Sequence, residues 1–332
     1  MNLPHTMTLI EITEPGGPEV LKPRQVPVPT PGPGEVLIRV QAAGVNRPDV
    51  IQRAGNYPMK PGMSPIPGLE VAGEVVAVGA GPCDFAVGDK VCALTNGGGY
   101  AQYCVAPAGQ TLSIPEGMDY VQAAAVPETF FTVWANLFDI GGASKGQRAL
   151  IHGGTSGIGT TALMLCREFG IKAFATAGSE EKCAAIRNLG AEAINYRDQD
   201  FAQVIQEKTA GKGVNVILDI MGGSYLNPNI AALGMEGRLV MLGFLGGAHA
   251  KDVDLLAILG KRATITGSLM RSRTAAEKTA IAEQLHEYVW PVLAAGRCLP
   301  IIDKVYPFTD ASQAHARMEG GDHIGKIVLR MD

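Results

Sequence analysis

From about Lys145 onward, runs that read as strands alternate with runs that read as helices, and this alternation restricts the fold more than any other feature of the chain. Strand-like RALIHGG precedes helix-like IGTTALMLCREFG, and KAFATAG precedes SEEKCAAIRNLG. The pattern continues through AINY, DFAQVIQEKTAG, VNVILDIMGG, NPNIAALGM, GRLVMLGFLGG, LLAILGK and ATITGSL. The strand-like runs are nearly continuous in apolar residues, as strands buried on both faces must be. The sequence therefore predicts an α/β fold with a doubly wound parallel sheet covered by helices. Residues 1–127 follow another grammar: short β-branched runs such as EVLIRVQAAGV and VAGEVVAVGA, separated by Gly/Pro turns, predict an all-β unit. A long helical pattern over residues 274–295 leads into IIDKVYPFTDASQAHARMEGGDHIGKIVL, which reads as helix and strand rejoining that first unit.

The stretch LIHGGTSGIGTTA, residues 150–162, joins an apolar strand to a helix through a turn stripped of side chains. In that geometry backbone N–H groups and the positive end of the helix cradle a pyrophosphate, and glycines let it approach. The spacing of Gly153, Gly157 and Gly159 is GxxxGxG rather than GxGxxG, and a lone glycine turn also serves plain strand-to-helix packing. The succession of strand and helix units behind it, with further glycines at DIMGG and MLGFLGG, favours a dinucleotide.

Composition narrows the partner. The 332 residues carry a formal net charge of -4, and the Lys and Arg residues are scattered, which removes the footprint of a nucleic-acid binder and favours a small molecule. No apolar run reaches the roughly 18 residues that cross a bilayer. The start MNLPHTMTLIEITEPGG has no basic segment followed by an apolar one, so a cytoplasmic protein is expected. The six cysteines lack CxxC spacing and are expected to be free thiols.

Several motifs together resemble the medium-chain dehydrogenase/reductase superfamily: AAGVNRPDVIQRAGNYP, PGLEVAGEVVAVG, VGDKVCAL, GGYAQY, AAAVPETFFTVWANLF and the glycine turn. Within it the chain is similar to the zinc-independent NADPH:quinone oxidoreductases of zeta-crystallin type. PETFFTVW with HGGTSGIG resembles the tumour-suppressor-inducible group. The resemblance implies a GroES-like catalytic domain, residues 1–127 rejoined by 271–332, and a Rossmann NADP-binding domain, residues 128–270. It also implies a homodimer, since relatives pair the region of ATITGSL, an apolar run that in a monomer would leave a long exposed sheet edge.

Alcohol-oxidising relatives bind catalytic zinc through a Cys, a His beside a Glu, and a further Cys or Asp. Here Asn46 stands in place of the Cys and Leu69 in place of the His. The six His residues share no ligand spacing, and no metal is expected. Without a Lewis acid, hydride transfer favours acceptors that are already electrophilic. The resemblance places Asn46 and Tyr57 in the interdomain cleft near the nicotinamide, with Asp49, Gln52 and Arg53 in support. Plain alternatives are that Asn46 caps a turn and that Asp49 and Arg53 form a solvated pair on a helix face. Thr132 matches a threonine beside the nicotinamide amide, the alternative being ordinary back-bonding within a helix.

For the cofactor, the resemblance assigns Gly153, Thr155, Ser156, Gly157 and Ile158 to the pyrophosphate turn and Tyr196 to the adenine ribose-phosphate end. The loops with Leu242, Gly243 and Phe244 and with Ser268 and Leu269 bracket the nicotinamide, and His323 lies where the tail returns to the cofactor. In TAGSEEKC, Glu180 and Glu181 fit the first turn of a helix capped by Ser179 rather than a ribose acceptor. Lys182 in that turn opposes the helix dipole, and Gly178, Ser179 and Lys182 fit the 2′-phosphate of NADPH; a solvated lysine paired with the glutamates is the alternative. The expected activity is NADPH-dependent reduction of a quinone. An enone, alkenal or enoyl-thioester reductase and a non-catalytic NADPH-binding protein remain open.

Overall fold

The computed structural model describes residues 3–61 and 63–331. Gly62, inside the segment NYPMKPGMSP, lies outside them. Walking along the chain, β1 (Thr6–Ile12), β2 (Leu21–Pro27) and β3 (Glu35–Val45) precede α1 (Arg47–Arg53). There follow β4 (Glu70–Val78), β5 (Lys90–Leu94), β6 (Tyr103–Pro107), β7 (Thr111–Ser113), α2 (Tyr120–Ala123) and α3 (Pro127–Val133), the last running into a π-helical turn, Trp134–Ile140. Next come β8 (Arg148–Ile151), α4 (Gly157–Glu168), β9 (Lys172–Ala177), α5 (Glu180–Asn188), β10 (Glu192–Asn195) and α6 (Phe201–Lys208). They continue with β11 (Val214–Asp219), α7 (Leu226–Ala232), β12 (Leu233–Met241), α8 (Leu255–Lys261) and β13 (Thr264–Gly267). The tail carries α9 (Ala275–Tyr288), α10 (Trp290–Ala294), β14 (Ile302–Pro307), α11 (Ala311–Gly320) and β15 (Lys326–Arg330). The chain forms two compact units, Met1–Phe131 with Arg273–Asp332, and Thr132–Ser272.

The first unit, GroES-like, is built on a sheet in the order β14-β15-β3-β4-β5-β7, with β6 also paired to β3 and a separate β1-β2 ribbon. The inward residues of β3 and β4, among them Val36, Ile38, Val40, Val71 and Val75, make its core with Tyr306, Phe308 and Leu329 from the tail. The unit is not all-β: α1 follows β3 directly, because Pro48 is tolerated in a helix's first turn and Asp49 accepts a hydrogen bond from the Asn46 N–H at 2.9 Å. The helical pattern over 274–295 is also two helices, parted at Val289 ahead of Pro291.

The second unit is a six-stranded, fully parallel sheet in the order β10-β9-β8-β11-β12-β13. Its third, second, first, fourth, fifth and sixth strands thus lie side by side, which is the Rossmann arrangement with its crossover between β8 and β11. Leu150, Phe174, Ile194, Ile217 and Leu239 are fully buried, one from each of five neighbouring strands, which is why those runs read as continuously apolar. The edge strand β13 is four residues long, so ATITGSL supplies a short edge rather than a long one. The six cysteines are free thiols, all but half-buried Cys83 buried.

Candidate active site

The carboxyl ends of five of the six parallel strands, β8, β9, β10, β12 and β13, carry the residues assigned to the cofactor, His323 in the tail excepted. Gly153, at φ 67°, opens the turn after β8 in a conformation that side chains resist. A Cβ on Gly154 would come within 2.6 Å of Ala175 Cβ and 2.8 Å of Ile186 Cδ1, and one on Gly159 would run into the backbone of Gly153 and Gly154. The glycines therefore let α4 start directly beneath the turn. Ser156 caps α4 by accepting from the Gly159 N–H at 3.0 Å, while Gly157 and Ile158 form its half-buried first turn.

The turn rests on a buried hydrogen-bond chain. The Asn229 Nδ2 donates to Asp219 Oδ2 at 3.1 Å, so its Oδ1 accepts from His152 Nε2 at 2.6 Å. The other ring nitrogen then accepts from the Thr176 hydroxyl at 3.1 Å, and that hydroxyl accepts from the Gly153 N–H at 3.3 Å. Burial holds His152 down at about 4 despite the Asn229 bond, so it is the neutral ring this chain requires. Burial also lifts Asp219 to about 6, opposed by the N–H groups of Met221 and Gly222.

After β9, Gly178 packs so closely that a Cβ there would lie 2.6 Å from the Tyr196 hydroxyl and 3.4 Å from Arg197 Nε. Ser179 caps α5, its hydroxyl accepting from the Lys182 N–H at 3.4 Å. Glu180 and Glu181 occupy the first turn, with Glu180 paired to Arg187. Gly178, Ser179 and Tyr196 are thus brought together, with Arg197, which sequence reasoning missed, as a cation beside them; Lys182 follows in the first turn of α5, its backbone N–H on the Ser179 hydroxyl. Leu242 follows β12 with its N–H on Asp219 O at 2.7 Å, and Gly243 and exposed Phe244 come next. Ser268 and exposed Leu269 follow β13. Thr132 opens the second unit, and its buried hydroxyl has no hydrogen-bond partner. Back-bonding within the helix therefore does not account for it. The neighbouring π-turn places Asn136 Nδ2 on Thr132 O at 2.7 Å, leaving Asn136 Oδ1 also unpaired. An orphaned hydroxyl of this kind fits a carboxamide ligand.

In the first unit, Asn46 lies in a buried ionic cluster. Lys326 Nζ is 2.7 Å from Glu70 Oε1 and donates to Asn46 Oδ1 at 2.6 Å and Val45 O at 3.2 Å. Asn46 Nδ2 donates to the same Glu70 oxygen at 2.9 Å, and the Glu128 N–H takes the other at 2.8 Å. Asn46 does occupy the N-cap position of α1, but its amide is committed to this cluster. Asp49 and Arg53 are not a solvated pair: both are buried. Asp49 accepts from the Gly68 N–H at 2.8 Å, and Arg53 reaches Gly16 O at 3.0 Å and Glu319 at 2.6 Å. Gln52 is buried and donates to Pro65 O at 2.9 Å; Tyr57 and His323 are half-buried. Burial, the Glu70 carboxylate and Asp49 raise Glu128 to about 8, against the lowering pull of Lys326 and Lys278. Glu70, Glu128 and Lys326 carried no sequence signal of their own, because their neighbourhood exists only once β15 joins β3.

These positions do not fit catalytic zinc. Leu69 is a buried hydrocarbon without a donor atom, both polar ends of Asn46 are committed, and the Lys326 ammonium already neutralises Glu70. Among the described residues, no group of three or more His, Cys, Asp or Glu is arranged to hold a metal ion.

The family model for the alcohol dehydrogenase GroES-like domain matches residues 32–116, and that for zinc-binding dehydrogenases matches residues 157–286. The quinone oxidoreductase of Rattus norvegicus is 34% identical over 97% of both chains. That of Homo sapiens is 32% identical with the same coverage. Among solved structures, the mycobacterial protein Rv1454c complexed with NADPH superposes with a TM-score of 0.85 at 30% identity, covering 98% of this chain and 99% of that one. The CurK enoyl reductase gives 0.85 at 27% identity, covering 99% and 100%. Together with the Rossmann and GroES-like units, these likenesses make the chain an NAD(P)-dependent oxidoreductase of the medium-chain dehydrogenase/reductase superfamily, a relative of the quinone oxidoreductases.

Proposed function

We propose that the protein is an NADPH-dependent quinone reductase that transfers hydride without zinc. The observation that carries this reading is the Lys326–Glu70–Asn46 cluster, in which an ammonium group and an amide take the place of a Lewis acid and its ligands. Such a site has no group to polarise an ordinary carbonyl strongly, so it suits an acceptor that draws hydride by itself. Reduced nicotinamide, when bound, supplies the hydride. The turn of Gly153, Thr155, Ser156, Gly157 and Ile158 holds the pyrophosphate, and the Thr132 hydroxyl takes the carboxamide. Leu242, Gly243, Phe244, Ser268, Leu269 and His323 flank the nicotinamide end. Tyr57 orients the acceptor, with Asn46 and Gln52 fixing its segment through the ionic cluster and through Pro65 O, and orientation is what such a reaction needs most.

NADPH is favoured over NADH by Ser179, Lys182, Arg197 and Tyr196 beside Gly178, which offer two cations and two hydroxyls where an NAD-specific fold presents a carboxylate. The likeness to an enoyl reductase supports a second reading, reduction of an activated carbon–carbon double bond with the same hydride geometry. We assign the protein a homodimeric state, because α8, which packs on β12 and α7 and leads in the chain into the edge strand β13, exposes Leu255, Leu256 and Leu259, at 67%, 80% and 75%. No described helix is long and apolar enough to cross a membrane, and a cytoplasmic location agrees with this.

Steady-state rates with a quinone panel, an alkenal and an enoyl thioester, each with NADPH and NADH and after exhaustive chelation, test the proposal. Chelation-resistant turnover that is fastest with quinones and NADPH is expected. A tightly held zinc whose removal abolishes turnover would overturn it.

A further inference from the structure

The helix α1, with Asn46 as its N-cap, is tied at both ends to α11, inside the first unit. At its start the Arg47 guanidinium donates to Met318 O at 3.2 Å. At its end fully buried Arg53 divides its guanidinium among Gly16 O at 3.0 Å, Glu319 at 2.6 Å and His315 Nδ1 at 3.4 Å. An arginine only donates, so Nδ1 is the accepting nitrogen of His315 and Nε2 carries the ring proton. Burial and the Arg53 charge hold His315 down at about 3, which keeps the ring neutral. Nε2 then donates to the Tyr100 hydroxyl at 3.0 Å, with the two rings edge to face at 5.7 Å. The Tyr100 hydroxyl in turn bonds to the Asp49 carboxylate. Asp49 returns the link to the head of α1, accepting from the Asn46 N–H at 2.9 Å and the Gly68 N–H at 2.8 Å. Asp49, Tyr100 and His315 are all 0% exposed, so water cannot replace a lost partner among them. Beyond Arg53, the N–H groups of Ala54, Gly55 and Asn56 bond back to Val50, Gln52 and Ile51 O at 3.0 Å. The frame of α1 thus extends to the residue before Tyr57.

We propose that His315 is a positioning residue for the acceptor: by bridging Arg53 to Tyr100 it locks α1 between its two ends and so sets where the Tyr57 phenol stands. The inference rests on the reading that Tyr57 orients the acceptor. His315 itself touches no substrate and exchanges no proton in turnover; it acts on Tyr57 through α1, by contacts that all lie inside the first unit. A leucine in its place can neither accept from Arg53 nor donate to Tyr100, whereas a glutamine can do both. Tyr100→Phe opens the same link by removing a single oxygen.

The experiment reads Tyr57 first by its environment and then by rate. With 3-fluorotyrosine at position 57, the 19F line should stay sharp in wild type and His315→Gln and should broaden or split in His315→Leu and Tyr100→Phe. Trp290 fluorescence shows which variants are folded; if His315→Leu is not, Tyr100→Phe and His315→Gln carry the comparison. On a quinone, His315→Leu and Tyr100→Phe should lose about tenfold in kcat/KM with the NADPH dissociation constant unchanged, and His315→Gln should keep most of the rate. In a Tyr57→Ala background Tyr100→Phe should cost nothing further, whereas a general loss of packing would add its own penalty. If the line at position 57 is unmoved in folded Tyr100→Phe, or if the losses add in the Tyr57→Ala background, the positioning assignment is wrong and the quinone-reductase reading stands. If the line moves as expected but wild type reduces neither quinones nor enones, the tie from α11 to Tyr57 holds and its role for an acceptor falls with that reading.

Discussion

Replacing Lys326 by Met removes the cation from a site with no solvent to take its place. The Lys326 side chain is 4% exposed and that of Glu70 is 0% exposed. Met keeps most of the hydrocarbon volume, so cavity formation is a minor term. What remains is a buried carboxylate that has lost its counter-ion and an Asn46 oxygen that has lost its donor. Breaking a buried pair from one side costs about 3–5 kcal/mol. Two donors to Glu70 survive, Asn46 Nδ2 and the Glu128 N–H, which favours the lower end, about 3 kcal/mol. The variant relieves the strain by protonating Glu70, raising its folded-state pKa above the unfolded one. The loss is therefore greatest at alkaline pH and shrinks as pH falls towards 5. The chain has two tryptophans, one in each unit, and Trp290 reports on the first through its bond to Ser113 O at 2.7 Å. Urea unfolding in a Trp134→Phe background, followed by Trp290 fluorescence, isolates that unit. Lys326→Met with Glu70→Gln should regain most of the loss, since no buried charge is left unpaired. A single variant within 1 kcal/mol of wild type at pH 8, or a double variant no better than the single, refutes the ionic account.

Lys182→Ala should weaken NADPH binding by about 1.5–3 kcal/mol and leave NADH unchanged, as isothermal calorimetry would show; equal losses for both would remove the 2′-phosphate assignment. Gly159→Ala should abolish binding of both cofactors, because its Cβ meets the backbone of Gly153 and Gly154 and the turn must open. On its own His152 should take about 3 kcal/mol from the second unit as pH falls from 6.5 to 4, because its proton is bound in the unfolded chain and refused in the folded one, and Asp219, whose carboxyl takes up a proton near 6 in the folded unit, should offset most of that loss. Trp134 fluorescence in urea series at each pH should therefore give a nearly flat profile, which His152→Gln should turn into a gain of stability on acidification. Light scattering should give twice the chain mass, and Leu256→Asp with Leu259→Asp should halve it if α8 carries the dimer contact.

What the sequence made legible was what local chemistry imposes. The glycines of the β8–α4 turn are required by backbone contacts that no side chain survives, and Ser179 caps α5 with the glutamates behind it. The apolar strands announced a sheet covered on both faces. The break at Pro291 was equally local, yet helical spacing on either side concealed it. The ionic cluster is of another kind. Lys326 and Asn46 are 280 positions apart, and no periodicity relates them. A lysine in a strand and a glutamate opening a helix each look like solvated surface until β15 docks on β3. Arg197 was hidden similarly, since it reaches Gly178 only because β10 lies beside β9.

The chain of hydrogen bonds from Gly153 to Asp219 runs in one direction only. Every link hands its acceptor to the same side, from backbone N–H through threonine, histidine and asparagine to a carboxylate. It spans the ends of β8, β9 and β11 and one helix, so these positions drift together or not at all. Substitutions that preserve the order of donor and acceptor, such as His152→Gln, leave the grammar intact. Asn229→Asp breaks it in the middle, placing a second acceptor against Asp219 with no donor to offer. The sequences open to this fold are thereby filtered by polarity rather than by size, and a tolerated change at one link will depend on which residues already hold the others.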